Sequence, residues 1–250
     1  MGRLLVDKRI FTSNDYWFEW ADKTIFCGKS VLNTSSKWVI GLGAGFRLGE
    51  EFKKWGFREY CIGSLYRVYD NGSVTLIVSP GGPTYMEILL ALASARRVTH
   101  IIGVGACGSI RRDVELLDVI VPVASYRMDG LTRNYVPSEY PAACDLDLTL
   151  KYLDRLSKED FRVKKGFVIT TASTCREDPG ELARIGSYGV LCIECEVSIL
   201  YVLSKLIGCR ATASLAVSDS ILEGSYVSPE ELNGVLKKLF KAAVDTLEGF

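Results

Sequence analysis

Glu194, Glu196 and Asp219 are carboxylates placed at opposite ends of one stretch, VLCIECEVSILYVLSKLIGCRATASLAVSDSIL, from Val190 to Leu222. Val190 to Ile193 is a short apolar run that reads as a buried strand, and Glu194 and Glu196 follow where it ends. Ile199, Leu200, Leu203, Leu206 and Ile207 then recur at helical spacing, and Gly208 is the residue type that ends helices in a left-handed cap. Ala211, Ala213, Leu215 and Val217 alternate with Thr212, Ser214 and Ser218, which describes a strand delivering Asp219 to its carboxyl end. Open α/β sheets bind ligands at such ends. An ionised carboxylate there accepts hydrogen bonds from hydroxyls, and a protonated one gives its proton to a leaving group. The alternatives are structural: Glu194 and Glu196 as helix-capping acids, Asp219 as a turn residue.

A second cluster suggests an anion. In WVIGLGAGFR, a strand from Trp38 to Leu42 runs through glycines into an apparent helix, so backbone N–H groups and the helix dipole face whatever lies beyond Gly43. Arg47 would sit in the first helical turn, where the dipole disfavours a cation unless an anion lies between the two. The same glycines are a weak match to a dinucleotide loop, because the third glycine is missing at the proper spacing. Cys192 and Cys195 form a lone C-x-x-C; with a single histidine in the chain, His100, and no second pair, no metal site is expected.

The elements that must position these residues alternate in type. Strands are expected near 38–43, 60–69, 73–79, 99–105, 117–124, 162–171, 189–194 and 211–218, and helices near 46–56, 83–97, 147–157, 179–187, 196–207 and 228–248. The last helix opens with Ser228, Pro229 and Glu231, a capping box with proline at its first position. The fold class is therefore α/β, one domain with a central mixed β-sheet flanked by helices. Residues 1–36, with Tyr16, Trp17, Phe18 and Trp20 close together, carry no assignable motif and are expected to join the 37–250 domain through core or subunit contacts. At 250 residues with 48% hydrophobic content the chain can bury a large core, and a formal net charge of +0 without a basic run excludes nucleic acid as the expected partner. No uncharged apolar stretch approaches membrane-spanning length, and MGRLLVDKRIFTSND lacks a signal-peptide core, so a soluble, cytoplasmic protein is expected. The eight cysteines read as reduced core thiols, Cys107 as packing, with pairing a feature of hyperthermophiles.

Several of these segments resemble one family in the order in which that family carries them. IECEVSILYVLSKLIGCRATASLAVSDS resembles the signature of the trimeric and hexameric nucleoside phosphorylases, which act on purine nucleosides, methylthioadenosine and uridine. HIIGVGACGSI from His100 is similar to their central glycine loop, LLDVIVPVA to the strand after it, WVIGLGAGFR to the first phosphate loop, and SPGGPTYMEILLALA to the glycine turn that opens a long helix. Agreement of several weak motifs in order is far stronger than any one of them.

The resemblance implies phosphorolysis of a purine nucleoside to free base and pentose 1-phosphate, with inorganic phosphate as co-substrate, no cofactor, and a homo-oligomer (dimer, trimer or hexamer). It makes Asp219 the acid at the purine imidazole nitrogen, Glu196 the carboxylate on the ribose hydroxyls, and Cys195 the residue packed on the sugar. Gly43 and Arg47 fall on the phosphate loop, and Glu194, Gly105 and Ala106 on supporting positions. The chain also departs from the family. Gly103 and Ala106 stand where an arginine and a serine or threonine usually grip phosphate, 170–176 lacks the aromatic residue often set against the base, and Arg58 and Arg67 are inexact matches for an arginine lent by a neighbouring subunit. These departures point to an alternative, a purine nucleosidase of the same fold that uses water; a third reading, a homologue that binds a nucleoside without turning it over, is opposed by the retention of both Glu196 and Asp219.

Overall fold

The computed structural model describes residues 6–43, 48–63 and 65–250. Its strands are β1 (Lys37–Leu42), β2 (Arg58–Ile62), β3 (Arg67–Asp70), β4 (Thr75–Val78), β5 (His100–Ser109), β6 (Val119–Met128), β7 (Ala142–Ala143), β8 (Val163–Thr171), β9 (Val190–Glu194), β10 (Arg210–Ser220) and β11 (Ser225–Tyr226). The helices are α1 (Asp15–Ile25), α2 (Gly49–Lys54), α3 (Pro83–Arg96), α4 (Leu146–Leu156), α5 (Pro179–Gly186), α6 (Val197–Leu206) and α7 (Pro229–Glu248).

All strands join one mixed sheet in the order β11-β10-β6-β8-β9-β5-β1-β4-β3-β2, with β7 on β6 and a further pairing of β10 with β5. That extra pairing closes a ring, β5-β10-β6-β8-β9, from which β1, β4, β3 and β2 extend as an open wing. β5 is the strand common to both parts. Along one of its edges it pairs in parallel with β1, up to Leu42 opposite Gly105, and then antiparallel with β9, from Gly108 opposite Ile193. Since β1 rises along β5 and β9 descends, their ends meet head-on beside Ala106 and Cys107. The other edge of β5 is held by β10 throughout.

Alternation along the strands divides the core between two layers. Trp38, Ile40 and Leu42 of β1 face one cluster with α3 and α6, and Val39 faces the other with Tyr152 of α4 and Leu236, Leu239 and Phe240 of α7. α7 begins as the sequence indicates: the Ser228 hydroxyl accepts from the Glu231 N–H, and the Glu231 carboxylate accepts from the Ser228 N–H. Gly208, at φ 72°, follows the end of α6 in the left-handed conformation that glycine favours.

Some elements differ from the sequence reading. The single strand expected near 60–69 is a hairpin, β2 and β3, with Ile62 opposite Arg67. The strand expected near 99–105 is present and runs on to Ser109 as β5, through the segment likened to a glycine loop, its glycines serving close packing within a strand. The unassigned N-terminal segment forms α1, whose Phe18 and Ile25 enter the same core cluster as Trp38. The cysteines are not all reduced. Cys27, just past α1, and Cys61 of β2 form a disulfide across 34 residues because the end of α1 lies against the hairpin, bringing their Cα atoms to 5.5 Å. Among the described residues no helix is long and apolar enough to cross a membrane.

The disulfide makes a direct prediction. Unfolded, unreduced protein should titrate as six free thiols rather than eight. The Cys27→Ser/Cys61→Ser variant should lose stability on the scale of about 2–4 kcal/mol for a closed loop of this kind, read as a lower denaturation midpoint. Eight reactive thiols would show that the pair is open in solution.

Candidate active site

Where β1 and β9 meet beside β5, a cleft of about 430 Å³ opens, and Gly43, Ala106, Cys107, Gly108, Glu177, Glu194, Cys195, Glu196 and Asp219 all line it. Of the site residues expected from the resemblance, Gly43, Ala106, Glu194, Cys195, Glu196 and Asp219 line it, and Gly105 does not. Arg47 lies outside the described residues. A second cleft of about 520 Å³, between the N-terminal segment and α3, is lined by Phe11, Trp17, Glu87 and Tyr135 and holds none of them.

Glu194 is a helix cap. Its Oε2 accepts from the N–H groups of Glu196 (2.6 Å) and Val197 (2.7 Å) at the start of α6, and its Oε1 from the Thr170 hydroxyl. Thr170 in turn accepts from the Ser198 N–H at 2.9 Å and contacts the Ser125 hydroxyl at 2.7 Å. The Ser198 hydroxyl donates to Asp129 at 2.6 Å. Burial alone would push Asp129 up, but hydrogen bonds from Ser198, Thr132 and Leu131 outweigh it and hold the carboxyl below its usual range. Glu194 has no such surplus: burial first, and then the neighbouring Glu196 charge, push it up to about 8 despite its three donors.

Glu196 does not cap α6. Its Oε1 accepts from the N–H of Gly82, the residue before α3, so its carboxylate sits on the positive end of a 14-residue helix. The turn is built for this approach. Gly81 has φ 87°, and a Cβ there would fall 2.7 Å from Gly43 Cα and 3.1 Å from Glu196 Oε1. Burial raises the pKa of Glu196. Cys195 is pushed up to about 12 by burial and then by Glu196, Glu194 and Glu177, so it remains a neutral wall of the cleft. Cys192 does not pair with it; Cys192 is buried against Cys107 instead.

Asp219 is aimed by a bulge. Strict alternation after Leu215 and Val217 would turn it to the core face, but the register with β5 shifts between Val217, opposite Cys107, and Asp219, opposite Gly108. Ser218 takes up the extra residue, and Asp219 comes out on the side of Gly108. Its Oδ1 accepts from the Ser218 hydroxyl at 2.6 Å, while a Cβ on Gly108 would fall 2.9 Å from its Oδ2. Gly108 is therefore a site residue that the sequence reading missed, recognisable only through the register. Glu177 is another. It is half-buried after the short 3₁₀ turn Thr174–Arg176, and its carboxyl is raised by burial and then by the charge of Asp219.

The anion side is less furnished. Gly43, at φ 107°, closes β1, but α2 starts only at Gly49, so the expected helix near 46–56 is shorter at both ends. A Cβ on Gly103 would meet Leu200 Cδ2 at 3.0 Å and Leu42 Cδ1 at 3.1 Å, and one on Gly105 would meet Leu42 Cβ at 2.8 Å. Both glycines are fixed by packing against β1 and α6, which leaves no path for a longer side chain at 103. Arg58 and Arg67 are exposed on the hairpin and do not line the cleft; His100 opens β5 with its ring 4.5 Å from that of Phe250.

Residues 46–247 match the model of the phosphorylase superfamily. DeoD-type purine nucleoside phosphorylases of Bacillus thuringiensis and Bacillus cereus are each 30% identical over 166 residues, 66% of this chain and 71% of theirs. Among solved structures, a uridine phosphorylase of Vibrio fischeri superimposes with a TM-score of 0.76 at 19% identity, covering 93% of this chain and 98% of its own. A purine nucleoside phosphorylase of Toxoplasma gondii in complex with immucillin-H gives 0.76 at 21%, covering 87% and 94%.

The titration of Glu194 has a measurable consequence. An acid whose pKa is higher folded than unfolded takes up protons on folding, so its contribution is fullest below the unfolded carboxylate range and is lost as pH rises toward about 8. Glu194→Gln should flatten the decline in melting temperature across that window, each kcal/mol being worth roughly 2–4 °C in a chain of this size. A slope equal to wild type would assign the pH dependence elsewhere.

Proposed function

We propose, from the premise that this chain belongs to the phosphorylase superfamily, that it is a purine nucleoside phosphorylase using inorganic phosphate and no cofactor. The observation that carries this reading is the joint placement of Glu196 and Asp219 in one cleft, each oriented by backbone geometry. Breaking the glycosidic bond leaves positive charge on the sugar and an electron pair on the departing base. Asp219 passes its proton to the imidazole nitrogen of the base, Glu196 holds the ribose hydroxyls, and Cys195 packs on the sugar. A phosphate oxygen, positioned by Gly43 and Arg47, bonds to the anomeric carbon as the bond to the base breaks. Protonation before departure is a purine's advantage, since a pyrimidine offers no imidazole nitrogen.

Homo-oligomerisation belongs to the same proposal. No lysine or arginine is among the described residues lining the cleft, and the exposed Arg58 and Arg67 are available to a second copy. One observation favours hydrolysis as the second reading: Gly103 is walled in and Ala106 has no donor, so two phosphate ligands of the family are missing. At about 1.5–3 kcal/mol for each charge-assisted hydrogen bond, that loss must be made up by other groups for phosphate to bind.

Product analysis with inosine, adenosine and methylthioadenosine, with and without phosphate, decides between the two. Pentose 1-phosphate formed only with phosphate is the expected result; free pentose formed without it would establish the nucleosidase. On whichever substrate is cleaved, Asp219→Ala should lower turnover about a hundredfold or more, the scale of a lost general acid. Gly108→Ala, which forces the Asp219 carboxylate aside without removing it, should cost about 10- to 100-fold with the fold intact. Near-wild-type rates in both variants would take Asp219 out of the mechanism.

A further inference from the structure

The cleft between the N-terminal segment and α3 takes no part in the proposed reaction and shares no lining residue with the acidic cleft at the strand ends. Its apolar walls are Phe11, Trp17 and Phe18 on one side, Ile88 of α3 on the other, and Leu206 from the end of α6. At about 520 Å³ it has the size of a pocket for a small organic molecule.

Into this setting α3 brings Glu87, a half-buried carboxylate among the lining residues. Its one polar contact among the described residues is the Tyr135 hydroxyl, which donates to Oε1. Burial, and then Glu87 itself, push the Tyr135 phenol up from its ordinary range, so Tyr135 stays a neutral hydroxyl whose single proton is already given. The cations nearby are committed elsewhere. Arg9, which also lines the cleft, is forked onto Asp7, Nε to Oδ1 at 3.0 Å and Nη2 to Oδ2 at 2.7 Å. Lys8 pairs with Asp15 at 2.8 Å.

A carboxylate has about four acceptor positions, and Glu87 fills one of them. Facing apolar walls, its charge costs free energy unless a cation reaches it. Aromatic rings attract the same kind of group, because the negative face of the ring favours a cation. The two features select one ligand chemistry: an ammonium head on Glu87 with an apolar body against Phe11 and Trp17. A neutral ligand leaves the charge unbalanced, an anion is repelled by it, and a metal ion needs more oxygen ligands than one carboxylate. We propose that this cleft binds an organic cation, a primary alkyl- or arylalkylammonium, with Glu87 as its counter-ion.

Calorimetric titration of the full chain with phenethylammonium and with phenethyl alcohol, which has the same body and no charge, tests this. Wild type should bind the ammonium about tenfold tighter or more than the alcohol. Glu87→Gln, which keeps the size of the side chain and an acceptor for Tyr135, should lose about tenfold or more of the ammonium affinity. Equal affinity for the two probes, or no binding of the ammonium by wild type, would overturn the proposal. So would undiminished ammonium binding in Glu87→Gln, since the probe would then lie against other carboxyls, such as those of the first cleft. The wild-type comparison uses no variant and decides the matter even where Glu87→Gln is unstable. Ile88→Trp, which narrows the cleft and leaves Glu87 in place, should weaken both probes; affinities unchanged by it would also count against the site.

Discussion

One edge of β5 must serve two strands that run in opposite directions, and the rest of the site follows from that constraint. β1 and β9 cannot overlap along the same residues, so the hydrogen-bond ladder breaks between Gly105 and Gly108. A break in a buried ladder leaves backbone groups to be satisfied by something other than a neighbouring strand, which is why sheet interiors seldom contain one. Here it is also the place where β1 ends at a glycine, β9 ends at a glutamate, and the bulged end of β10 arrives from the other edge. The cleft is the gap between strand ends, walled by β5, β9 and β10 and, from outside the sheet, by Thr174, Glu177 and Leu232.

The cost of gathering carboxylates at such a gap is met by two helices. Glu194 lies on the first N–H groups of α6, and Glu196 on the N–H that precedes α3. Each helix offers unsatisfied donors and a positive dipole end at the point where a negative group would otherwise be stranded. The two glutamates differ in what this leaves over. Glu194 has both oxygens engaged and belongs to the fold, tied through Thr170 and Ser198 to Asp129. Glu196 is buried, lines the cleft and is oriented by one backbone donor, which suits a group that must also meet a ligand.

How much of this was legible in the sequence depends on which interactions are local. The change from apolar run to helical spacing to alternation located β9, α6 and β10, and the capping box located α7, because those signals are contained within a few residues. The hairpin of β2 and β3 reads in the sequence as one strand near 60–69, since apolar residues continue between its two strands. The positions of Glu196 and Asp219 were readable from their placement at strand ends, but not their orientation. Glu196 is fixed by Gly82, 114 residues away, and Asp219 by a bulge that shifts its register against Gly108. Glu177 and Gly108 carry no signal of their own. An isolated glutamate in a polar segment and one glycine among several acquire meaning only through what faces them in space. The disulfide was unreadable for the same reason, as it depends on where α1 packs.

The charge of the cleft bears on how the proposed reaction would be divided across it. Four carboxyls line it and no described cation does; with Glu194 raised to about 8 and Asp219 the proton donor of the proposed reaction, the negative charge falls to Glu196 and Glu177. A field of that sign favours the positive sugar that forms as the bond to the base breaks, and it opposes the approach of a phosphate dianion. The two demands are compatible only if a cation accompanies the anion into the cleft. Gly43 closes β1 close to Glu196, since a Cβ on Gly81 would meet both, and in sequence the chain leads on through Arg47 to α2. Gly103 and Gly105 hold their part of β5 tight against Leu42 and close the sheet beneath that position. The nucleophile's charge must therefore be balanced by the segment after β1 or by a second copy of the chain, while the residues of β5 supply shape alone. Under hydrolysis that balance is not needed, because water brings no charge to the gap. The choice of nucleophile thus turns on whether a cation reaches the Gly43 side of an otherwise acidic cleft.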